Sequence, residues 1–226
     1  MQPQVNAFLG VICSRVTSYL INLFSTNNHV SAEELRAVPL PNISELPESE
    51  LGAAVEECLE QRGRIEREFL LPYGAHIPER GQALNLPPDL VLAKASIPTI
   101  SLNEAVLRGI ISVIGAPGRI EMLLRRDRVA FHGDSSFEET ARLLLGTAQD
   151  ENWTSVPSTV RLPEPSVAGA WLSRYKNLLS ELQSLWDKFQ TGQSAIDDIV
   201  CDWYGFDSNA REAIREGLPW ATRPSE

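Results

Sequence analysis

Apolar residues recur at Trp171, Tyr175, Leu178, Leu182, Leu185, Phe189, Ile196, Ile199 and Trp203, in alternating steps of four and three. The pattern breaks only at Gly192, where one position of the series carries no side chain. A period of 3.5 residues puts the whole set on one stripe of a single long helix, and such a stripe needs a surface to cover it. Asp197, Asp198 and Asp202 fill the opposite face of the last two turns. Gly205 is placed to be the left-handed residue that ends the helix.

The same reading applied from the other end predicts a first helix over about Asn6 to Phe24, with Phe8, Ile12, Val16, Tyr19, Leu20 and Leu23 on its buried face. A short second helix opens at Ser31, with Glu34 three residues on as a capping box, and Pro39 and Pro41 stop it. A third helix covers roughly Glu48 to Phe69, where Leu51, Val55, Cys58 or Leu59, and Ile65 repeat at helical spacing beside a glutamate-rich face. Prolines at 72, 78, 87 and 88 and glycines at 74 and 81 then favour an irregular connector over residues 71–98.

Residues 99–162 read as a small mixed α/β unit. It comprises a short helix near Leu102 to Leu107 and strands around Gly109 to Ile114 and Arg119 to His132, the latter a hairpin. A helix from Ser136 to Leu145 and a last strand near Ser158 to Leu162 complete it. The Pro163-Glu164-Pro165 break introduces the long helix. The expected fold class is α+β: a helical part over 1–70, the connector over 71–98, the α/β unit over 99–162, and the long docking helix with its tail over 163–226.

Composition changes this picture in one respect. With 43% hydrophobic and 22% charged residues the chain is ordinary for a globular protein, but its formal net charge of -10 is unlike that of a free-standing DNA binder, which gains most of its affinity by neutralising phosphates. The charge is uneven. Residues 45–80 hold nine acids against four arginines, whereas residues 81–128 hold six bases against four acids, so only the second stretch suits a phosphate backbone. Three cysteines, Cys13, Cys58 and Cys201, have no short spacing and imply neither a disulfide framework nor a zinc site. The apolar run from Val5 to Phe24 is interrupted by Arg15, Asn22 and several hydroxyls, too polar to span a bilayer, and no membrane partner is expected. These features read as a reducing, cytoplasmic setting.

Two stretches carry a family resemblance. Ile196-Asp197-Asp198-Ile199-Val200-Cys201-Asp202-Trp203-Tyr204-Gly205-Phe206 resembles the Ile-Asp-x-x-Val-x-x-Leu-Tyr-Gly-Leu end of large adenine-specific DNA methyltransferases of restriction-modification systems, including type IIG enzymes and BREX-associated methyltransferases. Trp203 and Phe206 stand where that pattern has leucines. The first helix around Phe8 to Leu20, the polar loop Ser25-Thr26-Asn27-Asn28-His29-Val30, and Ser31 to Pro41 are similar, in the same order, to the TaqI-like C-terminal specificity region of those enzymes. There a helix opening on a Leu-Asn-Ser-Lys-like segment leads through a polar loop to a short helix ending in Pro-Ile-Pro. Ile12-Cys13-Ser14-Arg15 departs from that opening by lacking the amide.

The chemistry of methyl transfer is missing from the chain. Transfer to an adenine amine requires a glycine-rich turn for S-adenosylmethionine and an Asn/Asp-Pro-Pro-aromatic loop on which a flipped base stacks. Asn85-Leu86-Pro87-Pro88-Asp89 has an extra residue and no aromatic, and reads as a proline-rich connector. His29, His76 and His132 are too scattered to suggest a ligand set, and no motif surrounds any cysteine. What remains is contact chemistry. Ser25, Thr26, Asn27, Asn28 and His29 precede a helix start, where hydroxyls, amides and free backbone donors suit a phosphate oxygen or an adenine edge, although the same residues also make an ordinary turn. Arg125, Arg126 and Arg128, with Arg119, cluster around Asp127 in the hairpin and suit phosphates, or form a solvated turn.

The resemblance therefore implies a truncated or split target-recognition portion that binds DNA weakly by itself. No cofactor belongs to this chain, and S-adenosylmethionine sits on a separate methyltransferase catalytic subunit or upstream-encoded half. The alternative is a helical protein-interaction module that docks on, or dimerises with, a partner.

Overall fold

The computed structural model describes residues 3–24, 32–76, 84–103, 110–116, 119–124, 128–150 and 159–216. The fold is α+β, with the long C-terminal helix that the heptad pattern requires. Helices α1 (Pro3–Cys13), α2 (Arg15–Phe24), α3 (Ala32–Ala37) and α4 (Glu48–Ile65) come first, and α5 (Pro88–Ala93) follows. Strands β1 (Thr99–Asn103), β2 (Ile110–Ala116), β3 (Arg119–Leu124) and β4 (Arg128–His132) lead into α6 (Ser135–Asp150). Strand β5 (Thr159–Pro163), α7 (Pro165–Tyr204) and α8 (Ser208–Glu216) complete the order. No helix among the described residues is long and apolar enough to cross a membrane.

The chain forms two compact units. One comprises Met1–Glu68, Ile77–Ala83 and Gln183–Glu226, and the other Phe69–His76 and Leu84–Leu182. Helix α7 contributes its first half to the second unit and its last half to the first.

In the first, helical unit, the expected single N-terminal helix is two. Ser14 is the cause. Its hydroxyl donates to the Val11 carbonyl (2.7 Å) and accepts from the Thr17 N–H (3.2 Å), so it ends α1 and caps α2. The break changes which face is buried. Val16 and Leu20 lie in the core as expected, but Phe8 and Ile12 do not: Phe8 is 57% exposed, and α1 buries the smaller Ala7, Gly10 and Val11 instead. The reason is close approach to α4, since a Cβ on Gly10 would stand 2.8 Å from side-chain atoms of both Leu51 and Val55. On α4, Cys58 rather than Leu59 faces inward. Residues of α1, α2, α4 and the last half of α7 share one apolar cluster, with Ile214 of α8.

Gly192 now has an explanation. A Cβ there would lie 2.6 Å from the Cys58 Sγ, so the thiol of α4 fills the position that the heptad leaves empty. Helix α4 itself widens into a π-helical turn at Glu66–Leu70 before ending at the left-handed Gly74. Pro72 accounts for the widening, because a proline inside a helix removes a donor and its ring crowds the carbonyl four residues back.

In the second unit β1 pairs antiparallel with β5, while β2, β3 and β4 form a separate antiparallel meander. Asp134 caps α6 by accepting from the Phe137 N–H (2.9 Å), and Gly133 leaves the room that the buried Phe137 ring occupies, where a Cβ would meet it at 2.4 Å. Two expectations change here. Thr99–Asn103 is a strand where a short helix was expected from Leu102, and residues 104–109 lie outside the described residues. The stretch expected to be an irregular connector contains α5, with Leu86, Pro88, Val91 and Leu92 buried and α5 set against β5 and α6. Pro88 sits in the first helical turn, where its fixed φ favours a start rather than a break. The Tyr175 hydroxyl donates to the Leu86 carbonyl (2.9 Å) and ties this stretch to α7.

Candidate functional site

The start of α2 and the last turns of α7 meet in one place. Ser14 caps α2, which leaves the N–H of Arg15, its first residue, without a partner inside the helix. Asp197 of α7 takes that donor at 2.7 Å, and its other carboxylate oxygen lies 3.3 Å from the Arg15 guanidinium. The side chain of Asp197 is only 15% exposed, although it lies on the face opposite the apolar stripe. Burial pushes its carboxyl above the ordinary value, against the downward pull of the Arg15 N–H and guanidinium.

The neighbouring acids are also engaged. Helix α7 ends in a paired turn: the Gly205 N–H donates to the Asp202 carbonyl (2.9 Å) and the Phe206 N–H to the Cys201 carbonyl (3.0 Å), with Gly205 left-handed at φ 69° as its position predicted. That turn folds α8 back. Arg211 then pairs with Asp202 and donates to the Phe206 carbonyl (2.9 Å), while Arg215 pairs with Asp198 at 2.8 Å. The three acids thus take three arginines from two other helices. Nothing in the heptad pattern could reveal this, because Arg15 is 182 positions from Asp197 and α8 reverses direction only through the Gly205 turn. The Trp203 indole N–H donates to the Asn42 carbonyl (3.2 Å), which joins the end of α7 to the segment after Pro41.

Of the candidate DNA contacts, Ser25, Thr26, Asn27, Asn28 and His29 lie outside the described residues, as do Arg125 and Arg126. Helix α3 begins at Ala32, next to Ser31. Arg128 opens β4 opposite Leu123, so the expected hairpin is present and residues 125–127 connect its strands in sequence. Arg119 pairs with His132 at the far end of the ladder. At about 3.4 Å per residue its backbone lies roughly 17 Å along β3 from Leu124, the last residue of that strand. The loop 25–29 and the hairpin fall in different compact units.

Cys58 and Cys201 are buried, and burial pushes both thiols up, which disfavours the thiolate that a nucleophile or metal ligand requires. Cys13 is exposed. No group of His, Cys, Asp or Glu suited to a metal ion occurs among the described residues. No protein-family model matches this chain, no curated protein matches it, and no solved structure matches its fold.

Proposed function

We propose that this chain is a target-recognition portion of a restriction-modification DNA adenine methyltransferase, which helps position DNA for a catalytic module carried on another chain. One observation supports the reading above the others. Helices α1 and α2 and the end of α7, which separately resemble the two ends of that specificity region, share one apolar cluster and the Arg15–Asp197 pair, as parts of one module would. Chemistry stays with the partner module, which binds S-adenosylmethionine and flips the base. This chain supplies the polar loop Ser25 to His29 and the arginines Arg125, Arg126 and Arg128 as contacts.

The test is fluorescence anisotropy on duplex DNA, with the chain alone and with a methyltransferase module. Affinity should be weak alone, rise with the module, and fall steeply with salt, each phosphate contact adding about -0.9 to the log-log slope. Replacing Arg125, Arg126 and Arg128 with alanine should weaken binding uniformly across sequences, whereas Asn27→Ala should change sequence preference. Calorimetry on the isolated chain should show no saturable binding of S-adenosylmethionine. A flat salt dependence, or no change in either variant of a complex that binds DNA, would remove the DNA role from these residues. The second reading, a protein-interaction module, is favoured by the net charge of -10 and would be left standing by that result.

A further inference from the structure

Helix α8 returns along the last turns of α7. Its Arg211 pairs with Asp202 and its Arg215 with Asp198, so the two helices run antiparallel, with residues 212–214 alongside 199–201. At about 3.6 residues per turn, Ile214 and Cys201 then fall on the same edge of this contact. That edge is the one toward α2, because Asp197, one turn before Cys201, meets Arg15 there and α8 itself packs against α2. Ile214 and Cys201 are both buried and belong to one apolar cluster. Burial pushes the Cys201 thiol up while Arg211 and Arg215 pull it down, which puts both cations of α8 near the sulfur. Helix α8 is therefore part of what covers Cys201.

The cover is lightly held. Helix α8 has nine residues with Ile214 as its one buried side chain, and a helix so short does not persist in water without packing. Both arginine pairs sit at the surface, where salt screens them. Asp207 caps α8 by accepting from the Ala210 N–H (2.8 Å), and Arg211 donates to the Phe206 carbonyl (2.9 Å), so these bonds are local to the helix and its lead-in. The lead-in is short and jointed. Gly205 is left-handed and exposed, and a Cβ there would meet nothing within 4 Å, so the chain can swing at this point without displacing a neighbour.

We propose that α8 is a salt-released latch: it swings away from α7 and α2 on the Gly205–Asp207 connection, uncovers Cys201 and reseats, while the helices beneath it stay folded. The latch rests on no DNA contact and stands or falls separately from the proposed function.

The experiment is maleimide labelling of the full chain, read residue by residue by mass spectrometry, with Cys58 as the internal control. Cys58 is buried in the same cluster, but it lies against Phe189 and Gly192, ahead of the turns that α8 pairs with. Raising sodium chloride from about 0.05 M to about 1 M should speed Cys201 labelling about threefold or more and leave Cys58 unchanged. Arg211→Ala combined with Arg215→Ala should label Cys201 faster at low salt, with the salt dependence lost and the melting temperature unchanged. Hydrogen exchange should show residues 208–216 losing protection with salt ahead of residues 196–204. Cys201 labelling that ignores both salt and the double variant overturns the latch. Cys58 and Cys201 rising together overturns it by assigning the opening to the whole unit, and a double variant that melts well below the wild type makes α8 a fixed part of the core instead.

Discussion

The two halves of α7 continue one heptad stripe but are held by different chemistry. In the first half Trp171, Tyr175 and Leu182 are buried, Trp171 stacks on Tyr175 at 5.5 Å, and the Tyr175 hydroxyl reaches a backbone carbonyl. Charge enters there only at the surface, as in the Lys176–Glu139 pair. In the second half Ile196, Val200 and Cys201 are equally buried, yet the remaining faces are taken up by Asp197, Asp198 and Asp202 with their arginines. Apolar burial varies little with salt or pH in the ordinary range, whereas ion pairs vary with both. One helix can therefore be insensitive to conditions in one unit and responsive in the other.

The largest expected effect comes from the centre of the stripe. Leu182 is wholly buried, and Leu182→Asp places a carboxylate where nothing pairs with it, a cost of about 4 kcal/mol or more. The variant should unfold cooperatively as a monomer, by circular dichroism and sedimentation. Hydrogen exchange should show both halves of α7 losing protection together. Persistent protection over residues 183–204 would mean that the halves are stabilised separately, and a folded variant that merely stops self-associating would make the stripe an oligomer seam.

Next is the fit between Gly192 and Cys58. Gly192→Ala gains helix propensity worth about 1 kcal/mol but forces its Cβ against the thiol, where overpacking costs about 1 to 3 kcal/mol. The net effect in urea melts should be destabilising. Adding Cys58→Ala should restore stability beyond the sum of the single changes, and strict additivity would show that the two side chains do not compete for that space.

A smaller effect separates the charged half from the neutral one. Asp197 titrates above its ordinary value in the folded chain, so the native state holds its proton more tightly than the unfolded state does. Its contribution to stability is present below the unfolded carboxyl value and is lost as pH rises through the folded one. As pH rises from the ordinary carboxyl value, about 4, through the raised folded one, the wild type should therefore lose stability relative to Asp197→Asn, whose amide carries no charge at any pH. Arg15→Met should be worse than Asp197→Asn near neutrality, because it leaves a buried carboxylate without its nearest cation. A pH-independent difference between wild type and Asp197→Asn would refute the shift.

The smallest change is at the surface. Arg215→Ala breaks a pair whose side chains are 60% and 47% exposed, and melts at physiological salt should barely move. A large loss would show that α8 is held mainly by charge rather than by its buried Ile214.

The sequence by itself determined the elements whose cause is local. The heptad set α7, Gly205 its end, the alternating runs the β3–β4 hairpin, and the spacing of Leu51, Val55 and Ile65 the buried side of α4, with Cys58 or Leu59 left open between them. Each depends on periodicity or on one residue's backbone preference. Tertiary structure alone decided the rest. Whether Phe8 or Gly10 of α1 turns inward depends on how closely α4 approaches. That α5 packs rather than wanders depends on β5 and α6 being there to receive Val91 and Leu92. An acid at position 197 becomes a buried partner rather than a solvated one because a serine-capped helix start, 182 residues away in sequence, delivers a free N–H and a guanidinium to it. Patterns record how a residue relates to its neighbours along the chain, whereas charge burial and close approach are properties of surfaces that do not exist until the chain has folded.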